Sequence, residues 1–293
     1  MSMANNDGPD VPTSSAFYDE RAQRISNMID EELRVSPRGF LMLLGQAESG
    51  KSTLQKQFQL YYASPTLDGE RPSWRPVVYF NIIKAVRMIL SELDYEFSLE
   101  PKEDPSGITE VSTNGALDPA DSSIEVQREI GELRVQLLPL VAIEDTLASE
   151  LSGGVSVSGG RTGAYVRSGW QALVTPTWPL SENRTMEKKH APEVILLAAK
   201  ALASTSAAVE ALWNHRVVKR FIQLRKIRLD ESASFFLENL TRIAEPDYVP
   251  TNTDILNVRL QTLGIMEHTF PINMGGLTYD WKLYDVGGAV RPD

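Results

Sequence analysis

The fold is decided by Phe40-Leu41-Met42-Leu43-Leu44-Gly45-Gln46-Ala47-Glu48-Ser49-Gly50-Lys51-Ser52-Thr53. Phe40–Leu44 is an unbroken apolar run of strand length, and Thr53–Leu60 can continue as helix, so the glycine-bearing segment between them joins a buried strand to a helix. Gly45 to Ser52 fits the pattern G-x-x-x-x-G-K-[ST] in that context. Glycines let backbone N–H groups turn inward on phosphate oxygens, the helix N-terminus adds its positive dipole end, and Lys51 supplies a point charge. Ser52 would hold Mg²⁺ through its hydroxyl. The alternative is a glycine turn ahead of an ordinary helix.

Upstream of the loop, Met1–Ser15 is rich in Asn, Asp, Pro and Ser and lacks apolar periodicity, so it is expected to be a tail. Ile25, Met28, Ile29 and Leu33 fall at helical spacing within Tyr18–Leu33, and Pro37 closes the pattern. That stripe fits packing on the chain's own core or docking on a partner equally well. Downstream, Ser73–Leu99 carries Val78, Ile82, Val86, Ile89 and Leu93 on one face, with Pro76 near its start, and predicts a long amphipathic helix. Pro101–Ser123 has the composition of a flexible insert without core residues. Glu125–Leu151 is helical in period, Gly153–Gly169 is glycine- and serine-rich and predicts a loop, and Gln171–His190 is ambiguous. Pro192–Asn214, Val217–Ile227 and Ser232–Ile243 predict further helices. After Pro250, strand-like Ile265–Ile272, turn-forming Asn273–Gly276 and the alternating Leu277, Tyr279, Trp281 and Leu283 predict a hairpin.

The 293 residues suggest two domains at roughly 150 residues each, and 42% apolar with 23% charged residues is ordinary globular usage. The absence of cysteine excludes disulfides, thiolate metal sites, cysteine nucleophiles and palmitoylation. His190, His215 and His268 are too far apart for metal-ligand spacing. A net charge of −10 argues against nonspecific nucleic-acid or anionic-lipid binding. No secretory signal is evident and no run approaches the ~18 apolar residues of a membrane span, so an intracellular, soluble chain without a transmembrane segment is expected.

The segment Leu43–Thr53, ending Glu-Ser-Gly-Lys-Ser-Thr, resembles the alpha subunits of heterotrimeric G proteins. So do Asp230–Leu237 with Arg242–Thr251, similar to the end of that family's helical domain. Asp254–Ile265 is similar to its first switch, and Asp285-Val286-Gly287-Gly288 to the start of its second. The resemblance implies an α/β fold: a Ras-like phosphate-loop GTPase domain, incomplete, with an inserted all-helical domain. Its expected layout is a tail and helix at 1–38, the partial Ras-like domain at 39–62 and 256–293, and the helical domain at 63–255. Within the last, about 101–189 looks like a flexible extension of this chain's own, to which no function is assigned.

The resemblance also implies site roles. Gly45, Glu48, Ser49, Gly50, Lys51, Ser52 and Thr53 would contact the phosphates, Ser232 would reach the nucleotide from the helical domain, and Leu256 to Thr262 would close over it. Arg259 would be an arginine finger supplied in cis, and Glu48 and Arg259 form the expected catalytic pair. Ser52 and Thr262 would ligate Mg²⁺, Asp285 would hold metal-bound water, and the Gly288 backbone N–H would sense the γ-phosphate. Ligands would be GTP and GDP. Partners would be a βγ dimer, a G protein-coupled receptor and an effector, with the chain at the inner face of the plasma membrane through them.

Four departures qualify this. Ala289 stands where the family's second switch places the glutamine that orients attacking water, and Ala47 adds a β-carbon where glycine is usual, so weak hydrolysis is expected. The guanine-recognition motifs Asn-Lys-x-Asp and Thr-Cys-Ala do not occur, which suggests a C-terminally truncated chain. Residue 2 is Ser, not the Gly of an N-myristoylation signal. A truncated, nonenzymatic fragment that binds βγ through its N-terminal helix is the alternative; an unrelated phosphate-loop ATPase or kinase is disfavoured by Arg259 and Asp285.

Overall fold

The computed structural model describes residues 39–46, 49–98, 124–154, 164–171, 193–274 and 277–287, with positions 23, 24, 27 and 28 of the N-terminal segment. Those four positions are helical, and Met28 is exposed. The rest of the expected helix Tyr18–Leu33 lies outside the described residues, as do Pro101–Ser123 and residues 172–190.

The apolar run forms strand β1 (Gly39–Leu43), and helix α1 (Lys51–Tyr62) follows the loop. Gly50 at the N-cap has φ 85°, a conformation that side chains with a β-carbon rarely take, and this lets the chain swing from loop into helix. A three-stranded sheet, in the order β1, β5 (Leu277–Val286), β4 (Ile265–Met274), sits beside α1. Strands β4 and β5 form the expected antiparallel hairpin, and β1 joins β5 in parallel with Leu43 opposite Asp285. A small apolar cluster of Leu43, Ala63, Phe270 and Leu283 seats α1 on this sheet.

The chain between α1 and β4 is a helical block. Short α2 (Ser64–Glu70) and a 3₁₀ turn (Arg71–Trp74) lead into α3 (Arg75–Ser98). The first half of α3 departs from a one-faced amphipathic helix: Pro76 through Ile83 are all buried, because neighbours cover it on every side. Around it pack α4 (Ile124–Val141), α5 (Glu144–Ser152) and α6 (Glu193–Asn214), and α8 (Glu231–Glu238) closes the block. Between them run α7 (Arg216–Gln223), α9 (Leu240–Ile243) and α10 (Asn252–Asn257). Helix α6 is long and apolar enough, by length and composition, to cross a membrane, contrary to the expectation that no such run exists; here Ala198, Leu202, Val209 and Leu212 are buried in the helical core.

The flexible extension at about 101–189 needs correction. Val126, Ile130, Leu137, Leu140, Leu147 and Leu151, all from α4 and α5, are core residues. Within Gly153–Gly169, expected as loop, Ala164–Arg167 forms strand β2, paired in parallel with β3 (Leu260–Leu263). Trp170 just beyond is fully buried and meets Trp74 edge-on, ring centres 5.1 Å apart.

Candidate functional site

The parallel register of β1 and β5 sets the phosphate loop beside Asp285, because the loop leaves β1 where β5 carries that aspartate. Helix α1 presents Ser52 one residue into its first turn, and the Ser52 hydroxyl donates to Asp285 Oδ2 at 2.6 Å. Thr262 Oγ1, from β3, donates to the same oxygen at 2.8 Å, and the two hydroxyls are 3.3 Å apart. Asp285 is buried, and its other oxygen, Oδ1, has no hydrogen-bond partner. Two hydroxyls converging on a buried carboxylate with a spare oxygen form a hard-oxygen donor set, the kind that suits a divalent cation such as Mg²⁺. The expected metal pair, Ser52 and Thr262, is thus brought together with Asp285.

Lys51 arches back over the loop: its ammonium donates to the carbonyls of Gly45 at 2.9 Å and Gln46 at 2.6 Å. Ser49 Oγ lies 3.4 Å from the same nitrogen, and Thr53 is exposed on α1. The Arg259 guanidinium approaches Asp230 at 3.5 Å. Asp230 also caps α8, accepting from the Ala233 N–H at 2.7 Å, so Arg259 is held from the helical block. The Ser232 hydroxyl donates to the Asn257 carbonyl and therefore holds the approach to β3. Glu48, Ala47, Gly288 and Ala289 lie outside the described residues; Gly287, their neighbour, donates its N–H to the Gly264 carbonyl at 2.8 Å.

Sequence reasoning missed Lys56. It is almost wholly buried, and its Nζ donates to the carbonyls of Ile255 and Val258, both at 2.8 Å, and reaches that of Leu256 at 3.4 Å. Burial foremost, and the charge of Arg259, push its pKa down to about 7, while Asp285 pulls the other way. A signal was present: Ser52, Lys56 and Gln59 fall at i, i+4 and i+7, one face of a helix. Asn81 was missed too; its amide accepts from the Arg259 N–H at 3.0 Å and donates to the Arg259 carbonyl at 3.4 Å. A third omission is Asp254, fully buried, which accepts from both Arg242 guanidinium nitrogens, from the Tyr248 hydroxyl and from the Thr251 N–H of its own capping box.

The sequence model of the G-protein alpha subunit family matches residues 19–291. The chain belongs to that family. An alpha-4 subunit of a guanine nucleotide-binding protein from Mycosarcoma maydis is 26% identical over 330 residues, covering 85% of this chain and 56% of its own. An alpha subunit from Sporothrix schenckii is 28% identical over 272 residues, covering 92% of this chain and 54% of its own. An alpha-1 subunit from Neurospora crassa is 27% identical over 271 residues, with 92% and 54% covered. This alpha-subunit chain therefore spans about half the length of the curated relatives it matches. Membership accounts for the architecture: a Ras-like sheet with its phosphate loop, interrupted by a helical domain.

Proposed function

We propose that this chain is a guanine nucleotide-binding alpha subunit that takes GTP and GDP with Mg²⁺ and transduces receptor signals through a βγ dimer and an effector. The observation that carries the reading is the convergence of Ser52, Thr262 and Asp285 beside the phosphate loop. When bound, Mg²⁺ would supply positive charge to the phosphates. Ser52 and Thr262 would hold it, and Asp285 would orient both hydroxyls and bind water on the metal. Lys51 would turn its charge from the Gly45 and Gln46 carbonyls to the phosphates, and the glycine-bearing loop would supply backbone donors to them. Arg259 would bring a guanidinium against the charge that develops on the transferred phosphoryl group, at a position braced by Asp230 and Asn81.

Turnover is weak in this reading. The methyl of Ala289 can neither donate nor accept a hydrogen bond, so nothing at that position orients water. Attachment to the cytoplasmic face of the plasma membrane would come through partners. The test is fluorescent GTP-analogue binding with and without Mg²⁺. Binding that requires Mg²⁺ and falls at least about tenfold in Lys51→Ala supports the reading. No binding, with capture of a βγ dimer by the N-terminal helix that carries exposed Met28, supports instead a nonenzymatic βγ-binding chain. Single-turnover hydrolysis at an ordinary family rate would refute the weak turnover.

A further inference from the structure

The turn that ends helix α7 is closed by an arginine where glycine is the ordinary residue. The Arg225 N–H donates to the Ile222 carbonyl at 3.0 Å and the Lys226 N–H to the Phe221 carbonyl at 2.9 Å, the paired bonds of a helix that stops through a left-handed residue. That residue is Arg225, with φ 57°, and among the described residues no other non-glycine residue has a positive φ. A β-carbon is strained in this region and the turn itself needs no charge, so an arginine kept there points to a use outside the turn. The surroundings are basic too. From His215 to Leu229 the chain has six Lys and Arg and no Asp or Glu, in a protein whose net charge is −10. Helix α7 buries Val217, Val218 and Phe221 in the helical core, which leaves Arg216, Lys219, Arg220 and Gln223 on the opposite face. Lys219 lies 3.4 Å from the centre of the Trp213 ring, and Lys226 is matched by Glu96 at 2.5 Å. Arg225 and Arg228 are exposed, and among the described residues neither side chain has a hydrogen-bond or ion-pair partner. Leu224, beside Arg225 at the helix end, is 54% exposed.

We propose that this end of α7 is a docking surface for anionic phospholipid, with Arg225 and Arg228 on headgroup phosphates and Leu224 at the boundary with the acyl chains. Clustered Lys and Arg on an amphipathic helix are what an anionic leaflet attracts. The net negative charge does not forbid the contact, because at physiological salt a charge is felt over only about 8 Å, and a surface that meets α7 meets its basic face first. Leu224 favours a lipid surface over an acidic protein: next to a guanidinium, an exposed leucine gains by entering the headgroup region. Since Val217, Val218 and Phe221 are committed to the core, α7 rests on the surface without inserting, and the contact is reversible and salt-sensitive. It would add a direct hold on lipid to attachment through partners, and it needs no bound nucleotide.

The test is co-sedimentation of the full chain with vesicles of phosphatidylcholine alone or with about 30% phosphatidylserine. Binding should require phosphatidylserine and be lost between about 50 and 500 mM salt; equal binding to both vesicles, or none to either at low salt, overturns the proposal. Arg225→Gly, which suits the left-handed turn, combined with Arg228→Gln should lower binding to phosphatidylserine vesicles at least about fivefold without lowering the urea midpoint, and a smaller fall in binding overturns it. If the pair does lower the midpoint, Arg228→Gln alone decides, with a fall of at least about twofold expected and less overturning it. Leu224→Ser should weaken vesicle binding at least about twofold; an unchanged affinity, or binding to polyglutamate in place of vesicles, assigns the arginines to an acidic protein and overturns the lipid surface. Saturating GDP should leave vesicle binding as it is. Release by GDP would mean that the arginines serve the nucleotide, and would overturn the docking surface while leaving the nucleotide reading intact.

Discussion

Lys56 is an ammonium taken out of water and satisfied only by backbone. Its pKa falls from 10.5 to about 7 on folding, so the unfolded chain holds this proton across a window where the folded chain has released it. Stability tied to Lys56 is therefore full above about pH 10.5 and is lost as the pH falls through about 7. The stability difference between the chain and Lys56→Met should change across that window by up to about 1.4 kcal/mol per pH unit, measured by urea denaturation at fixed pH steps. Asp254 has the same sign, at a lower pH. Burial would raise its pKa, but the Arg242 and Thr251 hydrogen bonds outweigh that and hold it below 3.8. The stability it contributes is present above that value and lost on acidification below it. Asp254→Ala should cost about 3 kcal/mol in urea denaturation, since it leaves Arg242 and the Tyr248 hydroxyl without their acceptor.

Among the elements, β1, α1 and the β4–β5 hairpin were legible in the sequence because each is encoded by adjacent residues: an apolar run, a loop motif, a period of two. Strand β2 was not. Ala164-Tyr165-Val166-Arg167 is too short to show a period, lies in a glycine- and serine-rich stretch, and owes its conformation to a partner strand that begins at Leu260. The site divides the same way. Ser52 and Lys51 could be read from local spacing, whereas Lys56 and Asn81 acquire a role only through carbonyls and amides that the fold brings to them. Composition misjudged the extension for a related reason: it averages over residues that pack and residues that do not. Trp170→Ala, which empties the site facing Trp74, should therefore destabilise the helical block by about 3–5 kcal/mol, as measured by circular dichroism in urea. A residue in a dispensable loop would move it by less than about 0.5 kcal/mol.

At the scale of the molecule the two modules are unequal. The helical block holds the large buried cluster, and among the described residues the smaller one of Leu43, Ala63, Phe270 and Leu283 lies between the sheet and the end of α1. Unfolding should not be a single transition: amide exchange should be faster in β1, β4 and β5 than in α3 and α6, and a denaturant series should release the sheet first. Coincident loss of protection in both modules would show instead that α1 and α10, joined through Lys56, couple them fully. The separation of the site's own parts has a further consequence. Ser52 and Asp285 lie 233 residues apart in the chain, and the loop that joins them is the entire helical block. At about 5–20 residues per second on the ribosome, the phosphate loop and its apolar strand emerge on the order of 10–50 s before the strand that completes them. During that interval β1 has no β5 to pair with, so a nascent chain has a helical domain able to fold and a first strand that a chaperone must shield until β5 emerges.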